Sequence, residues 1–231
     1  MELNRIINDD CLNVMKKIPD KYFDLCLTDP PYGSGAEDTW KGKGRSRFGG
    51  RFDKYHIEET KCERTGGTLA KKYQEGKQNI KHWDFAPSKE YFDEMFRVSK
   101  GIVIWGGNYF SLPPTRCFLV WDKLTIAESF SMAMCEYAWT SFNGNAKRFE
   151  CAPQDSKRFH PTQKPEALIS WVLKLFSKEG DKIFDPFSGS GTTAIACHRG
   201  KRQFLCVEKD AVYFQKSVER LEEERKQMIL L

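Results

Sequence analysis

The chain has 231 residues, 40% hydrophobic and 30% charged, with a formal net charge of +5. That length supports one α/β domain with a full core and modest insertions, and the mild charge admits an anionic partner without requiring one. None of the eight cysteines (Cys11, Cys26, Cys62, Cys117, Cys135, Cys151, Cys197, Cys206) forms a C-x-x-C pair, which argues against a zinc framework. Several sit in apolar runs such as Leu25-Cys26-Leu27, where a free thiol behaves as a small core residue. The opening Met1-Glu2-Leu3-Asn4-Arg5 lacks the apolar run of a signal peptide, and no apolar segment is long enough to span a membrane. A cytoplasmic protein with reduced thiols is expected.

Leu3 to Ile7 reads as a short strand. Leu12, Met15 and Ile18 then share a helical face that Pro19 ends, and Asp9 or Asp10 can cap that helix. Residues 23–28 read as a buried strand, stopped by Pro30 and Pro31. Asp29 and Tyr32 therefore project from the strand's C-terminal end, the edge where open α/β sheets bind ligands. An acid, a rigid turn and an aromatic ring placed together suit work on a planar nitrogen compound. Tyr32 can stack on its face while Asp29 and the Pro30 carbonyl accept hydrogens from an amino group. A strand ending in a Pro-rich turn with a satisfied Asp accounts for the tetrapeptide alone equally well.

From Gly33 the composition changes. Residues 41 to 81 hold twelve basic and five acidic side chains and many glycines, and aromatics are interleaved from Trp40 onward: Phe48, Phe52 and Tyr55. Lys41, Lys43, Arg45, Arg47 and Arg51 suit phosphate neutralisation, and flat side chains suit the gap left by a displaced base. A solvated loop is the competing reading.

Ser88 can cap a helix whose Tyr91, Phe92, Met95, Phe96 and Ser99 lie on one face and which Gly101 breaks. Ile102 to Trp105 reads as a buried strand ending in Gly106-Gly107-Asn108. Cys117–Lys123 and Glu136–Phe142 read as two more strands, antiparallel because twelve intervening residues are too few for a crossover helix with loops. Residues 143–159 read as a loop carrying Lys147, Arg148, Lys157 and Arg158. His160-Pro161-Thr162-Gln163-Lys164-Pro165 opens a helix, with Thr162 or a neighbour as cap and a stripe at Leu168, Trp171, Val172, Leu175 and Phe176. Strand 182–185 leads into Phe187-Ser188-Gly189-Ser190-Gly191, whose glycines permit a tight turn and close backbone approach before a helix from Thr192 to Gly200. Gln203 to Glu208 is a strand ending in an acid, as dinucleotide folds place the group that binds ribose hydroxyls. A last helix runs from Ala211 to about Lys226.

Asp29-Pro30-Pro31-Tyr32 followed by the Asp185-Pro186-Phe187-x-Gly189-x-Gly191 loop resembles the amino-methylating DNA methyltransferases. These enzymes use S-adenosylmethionine to modify adenine N6 or cytosine N4, and this motif order is that of their beta group. The resemblance covers most of the chain outside residues 33–81. It implies a doubly wound, mostly parallel, seven-stranded class I methyltransferase sheet with one antiparallel strand, circularly permuted so that the cofactor-loop strand comes late. It implies one domain over 1–231, with a basic insertion at about 33–82 and a short target-recognition region at about 143–159. Asp29, Pro30, Pro31 and Tyr32 would be catalytic. Cofactor contacts would come from Asp10 (the better positional match than Asp9), Cys11, Asp29, Asn108, Thr162, Lys164, Asp185, Phe187, Gly189, Ser190, Gly191, Thr192, Glu208 and Lys209. Lys164 would meet the cofactor's carboxylate, and the Gly-Gly-Asn turn its methionine part and the target base. Double-stranded DNA is the implied partner and a homodimer an open option; neither metal nor membrane is called for. The expected reaction is N6 methylation of a flipped-out adenine, because Asp at the head of the tetrapeptide more often accompanies adenine in this family. N4-cytosine methylation, RNA adenine methylation and an inactive DNA-recognition subunit are the alternatives. A nicotinamide dehydrogenase fits worst, since the loop lacks the third glycine of the dinucleotide fingerprint.

Overall fold

The computed structural model describes residues 1–32, 85–126, 133–153, 158–160 and 162–229. Lys41, Lys43, Arg45, Arg47 and Arg51, with the rest of the basic insertion, lie outside the described residues. The strands are β1 (Arg5–Asn8), β2 (Phe23–Thr28), β3 (Ser99–Trp105), β4 (Phe118–Asp122), β5 (Cys135–Thr140), β6 (Lys147–Glu150), β7 (Lys182–Asp185) and β8 (Gln203–Glu208). The helices are α1 (Cys11–Met15), α2 (Lys89–Val98), α3 (Glu166–Phe176), α4 (Thr192–Arg199) and α5 (Ala211–Ile229), with a 3-10 turn at Gly107–Tyr109.

Among the described residues, eight strands form one sheet in the order β1-β8-β7-β2-β3-β5-β4-β6. Only β5 runs against its neighbours, as the short β4–β5 connection requires. The count exceeds the expected seven by β6, which pairs parallel to β4 inside the stretch read as a loop. Its sequence Lys-Arg-Phe-Glu is that of an edge strand, with charges outward and a single ring, Phe149, stacked on Trp171 at 5.0 Å.

The central strands are apolar at successive positions, and their side chains point alternately to the two faces, which divides the core in two. Leu25, Leu27, Val103, Trp105, Ile183, Phe204 and Cys206 pack with α3, α4 and α5, including Leu168, Val172, Ile195 and Leu221. Cys26, Ile102, Ile104, Phe184, Leu205 and Val207 pack on the other face with α1 and α2, including Met15, Met95 and Val98. Such two-sided burial defines a doubly wound sheet.

β3 begins at Ser99, so Gly101 lies within the strand and breaks no helix. The Phe142 ring occupies the space a Cβ there would need, its Cε1 only 2.9 Å away. Ser88 holds the N-cap position of α2 without a side-chain capping bond, and Pro165, not Thr162, is the N-cap residue of α3. Among the described residues no helix is long and apolar enough to cross a membrane.

Candidate active site

The C-terminal ends of β1, β2, β7 and β8 open onto a cavity of about 640 Å³, within the range that takes nucleotide-sized ligands. Asp29, Pro30, Pro31 and Tyr32 form one wall, where the prolines end β2. Tyr32 donates its hydroxyl to Asp29 Oδ1 at 2.5 Å. Its ring stacks on Tyr109 with centroids 4.6 Å apart and meets Phe110 edge-on. Gly106 makes room for that ring: at φ +66°, any Cβ would fall 2.5 Å from Tyr32 Cζ. The Gly-Gly-Asn turn therefore seats Tyr32. Asn108 itself is exposed on the 3-10 turn and does not line the cavity, contrary to the expected cofactor contact.

Lys164, expected to meet the cofactor's carboxylate, lines the cavity and is paired there with carboxylates of the protein itself. Its Nζ lies 2.6 Å from Asp29 Oδ2 and 2.9 Å from Glu136 Oε2. A buried ammonium must be paired, and among the described residues these two carboxylates pair it. Glu136 is paired in turn with Lys123 at 2.6 Å. Burial and Glu136 push the Asp29 carboxyl above its usual range, against the pull of Lys164. Burial opposes charge on Lys164 and Glu136 as well, but their partners outweigh it. Lys164 stays firmly protonated, and Glu136 is held down at about 2. Sequence reading missed Glu136; the available signal was an acid opening the otherwise apolar run Tyr137-Ala138-Trp139.

The opposite wall is the glycine turn. Gly189 and Gly191 adopt φ +52° and +73°, which L side chains rarely do, and the ring of His160 lies against Gly189. Ser190, Thr192 and Thr193 bring the start of α4 to the cavity. Asp185 locks the turn to β2, accepting from Thr28 Oγ1 at 3.0 Å, Phe187 N at 3.1 Å and Thr193 Oγ1 at 2.6 Å. Burial raises its carboxyl to about 6. Gly191 shapes the turn as the N-cap residue of α4 without lining the cavity. Glu208, at the end of β8, accepts from Gly189 N at 2.7 Å and Asp210 N at 2.8 Å, and burial raises it to about 7.

Asp10 caps α1 by accepting from Leu12 N at 3.0 Å, and also accepts from Tyr91 Oη and Lys209 Nζ. Cys11 lies beside it, its thiol kept neutral by burial. Thr162 is exposed, and its N–H donates to His160 Nδ1 at 3.3 Å. Burial lowers His160 to about 3, so the ring is neutral. Phe187, Tyr91 and Tyr213 supply flat apolar surface between these polar groups.

These residues fit a sulfonium nucleoside. Glu208 retains lone pairs for ribose hydroxyls, Asp10 can accept from an adenine amino group, and the positive-φ glycines bring backbone close. Among the described residues no group of three or more His, Cys, Asp or Glu side chains is arranged to hold a metal ion.

A Haemophilus influenzae protein, type II methyltransferase M.HinfI, is 25% identical over 255 residues, covering 96% of this chain and 69% of that one. Type II methyltransferase M2.DpnII of Streptococcus pneumoniae is 45% identical over 65 residues, 28% of this chain and 24% of that one. Among solved structures, the M1.HpyAVI–SAM complex aligns with TM-score 0.54 at 20% identity, covering 94% of this chain and 99% of that one. The cytosine-N4-specific PvuII DNA methyltransferase aligns with TM-score 0.55 at 12% identity, covering 96% and 91%. These two likenesses establish a shared fold. The sequence profile of the N6/N4 DNA methylases matches residues 52–219. The chain belongs to this family, the amino-methylating DNA methyltransferases.

Proposed function

We propose that the protein transfers a methyl group from S-adenosylmethionine to the N6 amino group of an adenine flipped out of double-stranded DNA. One observation carries this reading: the bonded Asp29–Tyr32 pair faces the same cavity as the Gly189 turn and Glu208. Glu208 and Asp10 would hold the nucleoside, with Phe187 and Tyr91 against its rings. The target base must leave the duplex to reach this cavity, and Tyr32, backed by Tyr109, would stack on it. Asp29 and the Pro30 carbonyl would accept the amino hydrogens and so direct the nitrogen lone pair. When bound, S-adenosylmethionine supplies an electrophilic methyl carbon, to which the nitrogen bonds while sulfur keeps the electron pair of the bond that breaks. The nitrogen gives up one proton, which Asp29 would accept. Catalysis here is positioning, and the reading calls on no metal.

Adenine is preferred over cytosine because Asp29 heads the tetrapeptide. The proposal includes the permuted motif order of the beta group, one domain over 1–231, DNA contacts from Lys41, Lys43, Arg45, Arg47 and Arg51, and action in the cytoplasm. The test is incubation with unmethylated genomic DNA and S-adenosylmethionine, followed by nucleoside mass spectrometry. N6-methyladenine is expected. N4-methylcytosine would correct the base, and product on RNA alone would overturn the DNA substrate.

A further inference from the structure

Asp29, Lys164, Glu136 and Lys123 form a row of four alternating charges leading from the cavity wall into the fold. The successive separations are 2.6, 2.9 and 2.6 Å. The row joins the turn after β2, the segment before α3, β5 and the residue after β4, and its net charge is zero. Both lysine side chains are 8% exposed. Each lysine also lies over an indole, Lys164 over Trp105 at 5.6 Å and Lys123 over Trp121 at 5.1 Å. Neither Glu136 nor Lys123 lines the cavity.

A buried carboxylate can fail as an acceptor of amino hydrogens in two opposite ways. Without a cation it takes up a proton and becomes a donor. With an ammonium entirely to itself, its charge is more fully neutralised and it accepts other hydrogens more weakly. Lys164 is shared between two carboxylates, which places Asp29 between these limits.

We propose that Glu136 is a positioning residue for the methyl transfer: it shares the Lys164 ammonium with Asp29, leaving Asp29 charged yet able to accept the target amino hydrogens, and Lys123 holds Glu136 in place. The inference rests on the reading of Asp29 as acceptor. The charged and titratable groups facing Asp29 are Lys164 and Tyr32 by direct bonds, Glu136 behind Lys164, and Asp185 from the end of β7. Lys123 acts only through Glu136. The directions agree: burial and Glu136 raise Asp29, and Lys164 lowers it.

Opposite shifts are therefore expected from the two neighbours of one row. Lys164→Met should raise the Asp29 pKa, because the cation that lowers it is gone. Glu136→Gln should lower it and slow transfer roughly tenfold at the pH optimum. The titration is read in the cofactor-free protein by carboxyl ¹³C NMR of Asp29, and again as the acid limb of single-turnover methyl transfer. Affinity for sinefungin, an unreactive cofactor analogue, should stay within about twofold in the Glu136 variant, since that side chain lies outside the cavity. Glu136→Gln strands Lys123 among buried groups, so the double variant Lys123→Met/Glu136→Gln is measured beside it and should shift Asp29 the same way. An Asp29 titration that stays put or rises in both variants overturns the role of Glu136. Asp29→Ala separates the two readings: continued transfer there overturns Asp29 as acceptor. An inactive Asp29→Ala beside an unshifted Glu136 pair overturns only the positioning role.

Discussion

Replacing Gly106 with Ala tests how Tyr32 is seated. The new Cβ would lie 2.5 Å from Tyr32 Cζ and 2.8 Å from Cδ1, and closer still to Cε1. Ordinary carbon contacts need about 3.5–4.0 Å, so the ring must withdraw by roughly 1 Å or more. Tyr109 is stacked on it and Asp29 holds its hydroxyl, so withdrawal strains both contacts. At φ +66° an L side chain adds about 1–2 kcal/mol, and the displaced ring about 1–3 kcal/mol more. For a domain of this size each 1 kcal/mol lowers Tm by roughly 2–4 °C, so a fall of about 4–20 °C is expected. Because a misplacement of about 1 Å at reacting groups costs on the order of 10²-fold, kcat should fall by about that factor. The assay is single-turnover methyl transfer well below the transition, with sinefungin affinity and Tm measured on the same samples. Gly107→Ala is the control. Its Cβ would meet Trp139 Cβ and lie 3.1 Å from Trp139 N, so it should cost stability without addressing Tyr32 directly. A folded Gly106→Ala protein within threefold of the wild-type rate would show that Gly106 does not position Tyr32 for transfer.

Three further outcomes follow from charge. Burial lifts the Glu208 carboxyl from 4.5 to about 7, so between those values the folded protein keeps a proton that the unfolded chain has released. Stability of the ligand-free protein should therefore fall as pH rises from about 5 to about 7, more steeply than in Glu208→Gln; parallel Tm–pH curves would contradict this. Cofactor-analogue affinity should rise over the same window as the acceptor ionises, and lose that dependence in Glu208→Gln. Changing Lys41, Lys43, Arg45, Arg47 and Arg51 to Gln should flatten the dependence of log DNA affinity on log salt by about 0.9 for each phosphate that is no longer neutralised; an unchanged slope would remove these residues from the interface.

The strands that carry the site were legible because burial on both faces leaves continuous apolar runs. Phe23–Thr28, Lys182–Asp185 and Gln203–Glu208 each end in or beside an acid or turn that faces the cavity. β6 was not legible, because an edge strand of Lys-Arg-Phe-Glu carries one apolar residue and no period. The start of β3 was misplaced because Gly101 reads as a breaker, whereas here it makes room for a distant ring, Phe142. Asp29, Tyr32 and the Gly189 turn could be found from local spacing alone. The pairing of Lys164 with Asp29 and Glu136 could not: Glu136 reaches the site only through the reversal of β5, and residues 28 and 135 positions from Lys164 meet at one ammonium. The expectation for Asn108 failed for a related reason. The turn's glycines serve Tyr32 and the β5 backbone, and the side chain between them and Tyr109 is left facing outward.

The central claim is that Asp29 holds the amino group during transfer. The most direct measurement is single-turnover methyl transfer to DNA by Asp29→Ala, with sinefungin binding and DNA binding measured on the same protein. A loss of about 10²-fold or more in rate is expected, with both affinities largely retained. A near-normal rate in a protein that binds both ligands would contradict it.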